Sequence, residues 1–193
     1  MGDIRTYKGE ENWKFTELAE QSGREARAYF LWFKTQIEKR IVYLRGYLKD
    51  EQVDFTLDYS EESLHNLWIW YRECRDFVRS TSEKVEQGTE NYPESQWNDS
   101  SRKELYRIIA GIRMDISLYF AETLIHNHPQ LYWDYVKKTP KLEAYHQPVV
   151  MGFKNPKFFL TPWIIIQTCS ANEVHGGGDN NILILYKVWE EFL

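Results

Sequence analysis

The stretch that decides the fold is SRKELYRIIAGIRMDISLYFAETLIH, residues 101–126. Its apolar side chains recur mainly at intervals of three and four residues, which places them on one stripe of a helix. The members of this stripe are Leu105, Ile108, Ile109, Ile112, Ile116 and Phe120. Ser101 and Glu104 match the S-x-x-E capping box that satisfies the first backbone N–H groups of a helix. We therefore predict a core helix over 101–126.

Gly111 lies inside this predicted helix. Glycine costs about 1 kcal/mol relative to alanine in a helix interior, because it gives up more backbone freedom. A glycine at this position indicates that another element approaches the helix closely.

A polar stripe runs beside the apolar one. It consists of Asp115, Tyr119, Glu122 and His126, spaced by 4, 3 and 4 residues, so they share one helix face. A carboxylate at this edge is half buried, and its pKa is raised unless it is paired. Two interpretations remain open. In the first, the stripe forms a small polar pocket for an acid, a base or a metal. In the second, it is an ordinary helix edge where Glu122 pairs with His126. The frequency of pairs four residues apart favours the second interpretation.

The chain before and after this helix also has helical periodicity. Residues 13–50 follow a helical pattern with a break near Ser22-Gly23, and the clearest amphipathic part is 26–49. A second helix is predicted over 60–79, with Ser60 as its cap, and a terminal helix over 182–193.

Three stretches have the character of strands. Residues 53–59, VDFTLDY, alternate apolar and polar side chains, and 131–136 and 148–153 should pair antiparallel. Residues 158–160 are a further candidate for the sheet. Thr161-Pro162 fits the N-cap and first position of a short helix over 162–170.

These elements predict one α+β domain, in which several amphipathic helices pack on a small, mostly antiparallel sheet. A helical part over 13–79 is followed by a polar, exposed connection over 80–100 and an α/β part over 101–193. We expect 173–181, a stretch rich in Gly and Asn, to be a loop.

Composition excludes several classes of protein. The net charge of −5 argues against a nucleic-acid binder, whose affinity depends on clustered Lys and Arg. No apolar run approaches the roughly 20 residues that cross a bilayer, so we expect no membrane association. Cys74 and Cys169 match neither a metal motif nor a disulfide framework. The first residues lack the apolar core of a secretory signal, which predicts a soluble cytoplasmic protein with reduced thiols.

Motifs that suggest catalysis are incomplete. His126-Asn127-His128 spells H-N-H, but the nuclease motif of that name is a set of spaced residues in a ββα-metal fold. Residues 175–178 resemble the HGGG oxyanion loop of lipases, yet the G-x-S-x-G nucleophile motif is absent. Glu122 and His126 supply only two of the three or four ligands that zinc requires. We expect no metal, no cofactor and no catalytic residue.

One group of residues is Asp58-Tyr59-Ser60 with Ser63-Leu64 and Leu67-Trp68, and a second is Tyr119-Phe120-Ala121-Glu122 followed by Trp133. Together they resemble a pattern found in small uncharacterised bacterial cytoplasmic proteins, some of which resemble immunity proteins of toxin systems. The pattern covers roughly 53–193, and Ala121 stands where it has glycine. The resemblance implies no active site and marks Glu122 as the position to examine.

The leading hypothesis is a non-enzymatic protein-binding module of bacterial origin. Its most specific form is an acidic immunity protein that masks a basic toxin. The alternative is a small ligand-binding or hydrolytic domain that uses Asp115, Glu122 and His126. A third option is a helical scaffold that oligomerises through Trp32, and the sequence leaves the oligomeric state open.

Overall fold

A computed structural model of the chain describes residues 4–9, 13, 15–86, 99–174 and 182–193. In these residues it has five α-helices and one two-stranded antiparallel sheet, which confirms the predicted α+β class. The elements are α1 Gly23–Asp50, α2 Glu61–Glu86, α3 Asp99–Asn127, β1 Tyr132–Tyr135, β2 Pro148–Met151, α4 Pro162–Val174 and α5 Ile182–Glu190. Two short 3₁₀ helices, Ile4–Thr6 and Phe15–Glu20, precede α1.

The break predicted near Ser22-Gly23 is the true start of α1. The Ser22 backbone N–H donates to the Glu25 carboxylate at 2.9 Å, and the Glu25 N–H donates to the Ser22 hydroxyl at 3.3 Å. This capping box satisfies two backbone donors that the first turn of a helix leaves without partners. The helix therefore begins three residues before the predicted position 26.

The other helices differ from their predicted bounds mainly at the ends. Ser60 caps α2 as predicted, since its hydroxyl accepts from the Ser63 N–H at 3.0 Å. The helix continues to Glu86, so the first residues of the predicted connection 80–100 are helical. Residues 87–98 lie outside the described residues.

At the other helices the corrections are small. Helix α3 begins at Asp99, so Ser101 lies inside its first turn and is not the cap. Helix α4 starts at Pro162 as predicted but extends to Val174, and α5 ends at Glu190. The predicted loop over 173–181 is wrong for residues 173 and 174, which belong to α4. Residues 175–181 lie outside the described residues.

The predicted strand over 53–59 is wrong. This stretch is an irregular connection between α1 and α2, and side chains satisfy its backbone where a neighbouring strand would otherwise do so. The Leu57 carbonyl accepts from the Arg45 guanidinium at 2.8 Å, and the Tyr59 N–H donates to the Tyr119 hydroxyl at 2.8 Å. Tyr59 also has φ of 66°, which a strand does not contain. The alternating pattern arises because Leu57 is buried while its polar neighbours face water.

The small sheet has the predicted antiparallel pairing. Tyr132 pairs with Met151 and Tyr135 with Pro148, and Leu160 adds an isolated antiparallel bridge to Val150. The strand β2 ends at Met151, and the next residue, Gly152, has φ of +106°. A Cβ atom there would overlap the Gln130 carbonyl oxygen, so only glycine fits.

Helix α3 is the centre of the core. It packs against α1, α2 and α4, and every member of its predicted apolar stripe is buried. The aromatic excess contributes to the core as well, because Trp68, Tyr71, Tyr119, Phe33 and Phe120 are among the largest fully buried side chains. Trp32 is half buried and packs against Trp13 and Tyr29, with ring centroids 5.4 and 5.2 Å apart.

The close approach predicted at Gly111 is confirmed. A Cβ atom at Gly111 would lie 2.9 Å from the Cα atom of Gly9, which is part of the segment that follows the first 3₁₀ helix. The two backbones therefore touch without an intervening side chain.

We predict that Gly111→Ala destabilises the fold by about 1–2 kcal/mol, because the cost of overpacking exceeds the gain in helix propensity. The matched control is Gly46→Ala in α1, where nothing lies within 4 Å of the added Cβ. The control should raise the free energy of unfolding by about 0.5–1 kcal/mol. Chemical denaturation measures the free energy of unfolding of both variants. Equal gains in stability for Gly111→Ala and Gly46→Ala would show that the Gly9–Gly111 contact is absent.

Candidate functional site

The first residue of the polar stripe, Asp115, is fully buried and forms an ion pair with Arg40 of α1. The Arg40 Nε donates to Asp115 Oδ1 at 2.9 Å, and Arg40 Nη2 donates to Asp115 Oδ2. This two-pronged geometry satisfies both carboxylate oxygens, which is what makes a buried charge tolerable. Burial opposes the charge of Arg40, but the hydrogen bonds and charge of Asp115 outweigh it and raise the pKa of the guanidinium.

The same pair anchors the segment over residues 4–9. The Tyr7 hydroxyl donates to Asp115, and Arg40 Nη2 donates to the Lys8 carbonyl at 2.9 Å. The Tyr7 ring contacts Tyr43 and Tyr47 edge-on, with centroids 5.2 and 4.8 Å away. Burial, together with the neighbouring carboxylate, raises the pKa of Tyr7. Its hydroxyl therefore stays protonated and acts as a hydrogen-bond donor.

The second and fourth residues of the stripe meet at Tyr59. The Tyr119 hydroxyl hydrogen-bonds with the Ser63 hydroxyl at 2.6 Å and accepts from the Tyr59 N–H. The Tyr59 ring stacks on both Tyr119 and His126, with centroids 5.4 and 4.9 Å apart. These contacts attach α3 to the connection between α1 and α2.

The third residue, Glu122, is half buried and accepts a hydrogen bond from Trp133 Nε1 at 2.6 Å. Burial raises the pKa of Glu122, although the Trp133 hydrogen bond and the nearby His126 oppose the shift. The Trp133 ring packs against Phe33, with centroids 5.1 Å apart. Glu122 therefore joins α3 to β1, and β1 in turn contacts α1.

The structure thus gives the four stripe residues three separate sets of contacts. Asp115 contacts α1 and the first segment, Tyr119 and His126 contact Tyr59, and Glu122 contacts β1. Every one of these contacts joins two elements of the fold.

The partner of Asp115 was missed by the sequence reasoning, although a signal was present. Arg40 lies three residues after Ile37 and four before Leu44, which places a charged residue on the buried side of α1. A charge at such a position indicates a buried counter-ion.

The H-N-H tripeptide also takes part in structural contacts. His128 Nε2 lies 3.0 Å from the Glu190 carboxylate. Asn127 Nδ2 donates to the Tyr59 carbonyl at 3.1 Å and to the Tyr186 hydroxyl at 3.0 Å. These two residues hold α5 against the end of α3.

A cavity of about 200 Å³ lies elsewhere on α3. None of the four stripe residues lines it, and its walls are formed by Trp13, Ala110, Arg113, Met114, Ser117, Trp163 and Gln167. Within the described ranges, no cluster of three or more His, Cys, Asp or Glu side chains is arranged to hold a metal. Residues 175–178, the HGGG stretch, lie outside these ranges.

Both cysteines are buried thiols, and burial raises the pKa of Cys74 to about 12. A thiol with this pKa is almost wholly protonated at neutral pH and is a poor nucleophile. In the part of the chain that the structure describes, no helix has the length and hydropathy needed to cross a bilayer.

No protein-family model matches the chain, and neither a curated protein nor a solved structure is significantly similar to it. The resemblance to immunity-type proteins therefore stays a prediction.

The raised pKa of Glu122 predicts a pH dependence of stability. Because this pKa is higher in the folded chain than in the unfolded one, the folded chain binds more protons between the two values. The contribution of Glu122 to stability is thus fully present below its ordinary value of 4.5 and is lost as pH rises through the folded pKa. Glu122→Gln cannot ionise but still accepts from Trp133, so its stability relative to the wild type should increase from pH 4 to 7.

Urea denaturation at a series of pH values measures this difference, which should approach about 1.4 kcal/mol for each unit of pKa shift. Glu104→Gln removes one negative charge at an exposed position of the same helix and serves as the control. Parallel pH profiles for the wild type and Glu122→Gln would contradict the burial of an ionisable carboxylate at this position.

Proposed function

We propose that the chain is a non-enzymatic protein-binding module of the immunity type, which acts in the bacterial cytoplasm by binding a basic protein such as a toxin. One observation carries this proposal. Residues 50–62, DEQVDFTLDYSEE, contain six carboxylates and no Lys or Arg, and all six side chains are exposed or half exposed. We call residues 50–62 the acidic segment. Its carboxylates are Asp50, Glu51, Asp54, Asp58, Glu61 and Glu62.

The acidic segment has a fixed shape although it contains little regular structure. Arg45 donates to the Leu57 carbonyl. The Tyr59 carbonyl accepts from Asn127 Nδ2, and the Tyr59 N–H donates to the Tyr119 hydroxyl. The Asp58 carboxylate accepts from the Ser60 N–H at 3.0 Å, and the hydrogen bonds that Ser60 donates lower the pKa of Asp58. A preorganised charged surface loses little conformational entropy when a partner binds.

The charge of this surface specifies the class of partner. A fixed cluster of carboxylates attracts a basic surface, speeds encounter and repels acidic competitors. The net charge of −5 has the same sign. Both properties suit a protein that must find a basic toxin quickly.

The contacts of the polar stripe support the same proposal. Asp115 contacts α1, Glu122 contacts β1 and His126 stacks on Tyr59, so these side chains join α3 to three different parts of the fold. The proposal therefore places function on the surface of the chain, whereas the alternative of a ligand-binding or hydrolytic domain would place it at these three side chains.

The test is binding by charge-reversal variants. The double variant Asp54→Lys/Glu62→Lys inverts two exposed charges of the acidic segment, and Glu104→Lys/Glu143→Lys makes the same change at exposed positions outside it. The partner is the basic protein retained in stoichiometric amount from a lysate of the source organism, then expressed and purified. We expect the first variant to lower the affinity at least about tenfold, chiefly through slower association, and the control to retain it.

Three results would contradict the proposal. The first is that the wild type retains no basic protein in stoichiometric amount. The second is that both double variants bind the partner equally well. The third is that the affinity of the wild type for the partner is the same at low and high salt.

A further inference from the structure

Helix α5 is apolar on two opposite sides. Ile182 and Tyr186 are buried against the body of the protein. Ile184 and Val188 lie on the opposite side of the helix and are 55% and 40% exposed. Phe192, two residues after the end of the helix, is 36% exposed. A surface helix normally has one apolar stripe and one polar face, and a helix that is apolar all round is normally covered.

The exposed side of α5 continues onto a neighbouring loop. The ring of Phe158, which is 42% exposed, lies 5.3 Å from the ring of Phe192. The Lys154 N–H donates to the Phe192 carbonyl at 2.9 Å, which fixes the turn that follows α5. We call the surface formed by Ile184, Val188, Phe192 and Phe158 the α5 apolar face.

The acidic segment borders this face along one side. Lys187 Nζ lies 2.5 Å from the Glu61 carboxylate, and Asn127 bridges Tyr59 and Tyr186. At 100° per residue, Lys187 lies about 60° from Ile184 around the helix. Val188 lies about 40° and Trp189 about 140° from Ile184 in the other direction, and the Trp189 ring contacts the Phe192 ring. The order across the surface is therefore the acidic segment, Lys187, the exposed residues of α5, and Phe158.

We propose that the acidic segment and the α5 apolar face form one continuous docking surface for a basic protein that carries an apolar patch beside its basic groups. This inference rests on the proposed function and assigns it a second, independent contact. Specific interfaces commonly combine an apolar centre with a polar or charged rim. The carboxylates attract and orient the partner, and the apolar side chains hold it after encounter.

Charge favours a basic partner over a second copy of this chain. A contact between copies that set the two acidic segments face to face would be unfavourable, because like charges across an interface repel. A basic partner instead meets the carboxylates with groups of opposite sign.

The experiment uses Ile184→Gln/Val188→Gln, which removes apolar surface without a change in charge. The matched control is Leu31→Gln/Val42→Gln in α1, where both side chains are 56% exposed. Surface plasmon resonance then measures the binding of each variant to the same purified basic protein at two salt concentrations. We expect the α5 variant to bind at least about tenfold more weakly at both concentrations, through faster dissociation, with an unchanged salt dependence.

The outcomes separate this inference from the proposed function. If the α5 variant binds like the wild type while Asp54→Lys/Glu62→Lys binds weakly, the apolar face is excluded and the basic partner stands. Equal loss of affinity in the α5 variant and the α1 control would also overturn the inference.

If the wild type is a dimer by light scattering and the α5 variant is a monomer, the face is an interface between copies. If no basic protein is retained, both proposals fail. Circular dichroism melts confirm that each variant is folded.

Discussion

The buried ion pair between Arg40 and Asp115 is the contact on which the rest of the structure depends. Two charges removed from water are stable only when each is held by its counter-ion and by further hydrogen bonds. Asp115 therefore fixes the position of α1 on α3, and Tyr7 and the Lys8 carbonyl complete the network. With the first segment held there, Gly9 lies directly on Gly111. The same contact between the first segment, α1 and α3 is therefore stabilised by the ion pair, the aromatic rings around Tyr7 and the two glycines.

The remaining polar residues of α3 act in the same way on other neighbours. Tyr119 attaches the connection before α2, and Glu122 attaches β1. At the end of the helix Asn127 holds α5. Helix α3 thus positions the acidic segment and α5 side by side. Each contributes buried side chains to the core, Leu57 from the acidic segment and Ile182 and Tyr186 from α5. The internal polar groups and the hydrophobic core together hold the scaffold, and the scaffold presents the acidic segment and the α5 apolar face at its surface.

Periodicity predicted most of the helices and the antiparallel pair, because a helix or strand that covers a core must repeat its apolar residues at its own interval. The same reasoning failed at 53–59, where alternation comes from a loop that is pinned by Arg45 and Tyr119. Local sequence could not give the contacts of the polar stripe, since Tyr7 and Arg40 are 108 and 75 residues away from Asp115. At Gly111 the sequence alone indicated a contact with a distant segment correctly.

The most direct test of this account is a double-mutant cycle between Arg40 and Asp115, with Arg40→Met, Asp115→Asn and the double variant measured by denaturant unfolding. Each single substitution leaves a buried polar group without its counter-ion and should cost about 3–5 kcal/mol. The double variant should cost at least about 2 kcal/mol less than the sum, because neither charge is then left alone. Additive costs, within about 0.5 kcal/mol, would show that the two residues do not interact and that the polar stripe has another purpose.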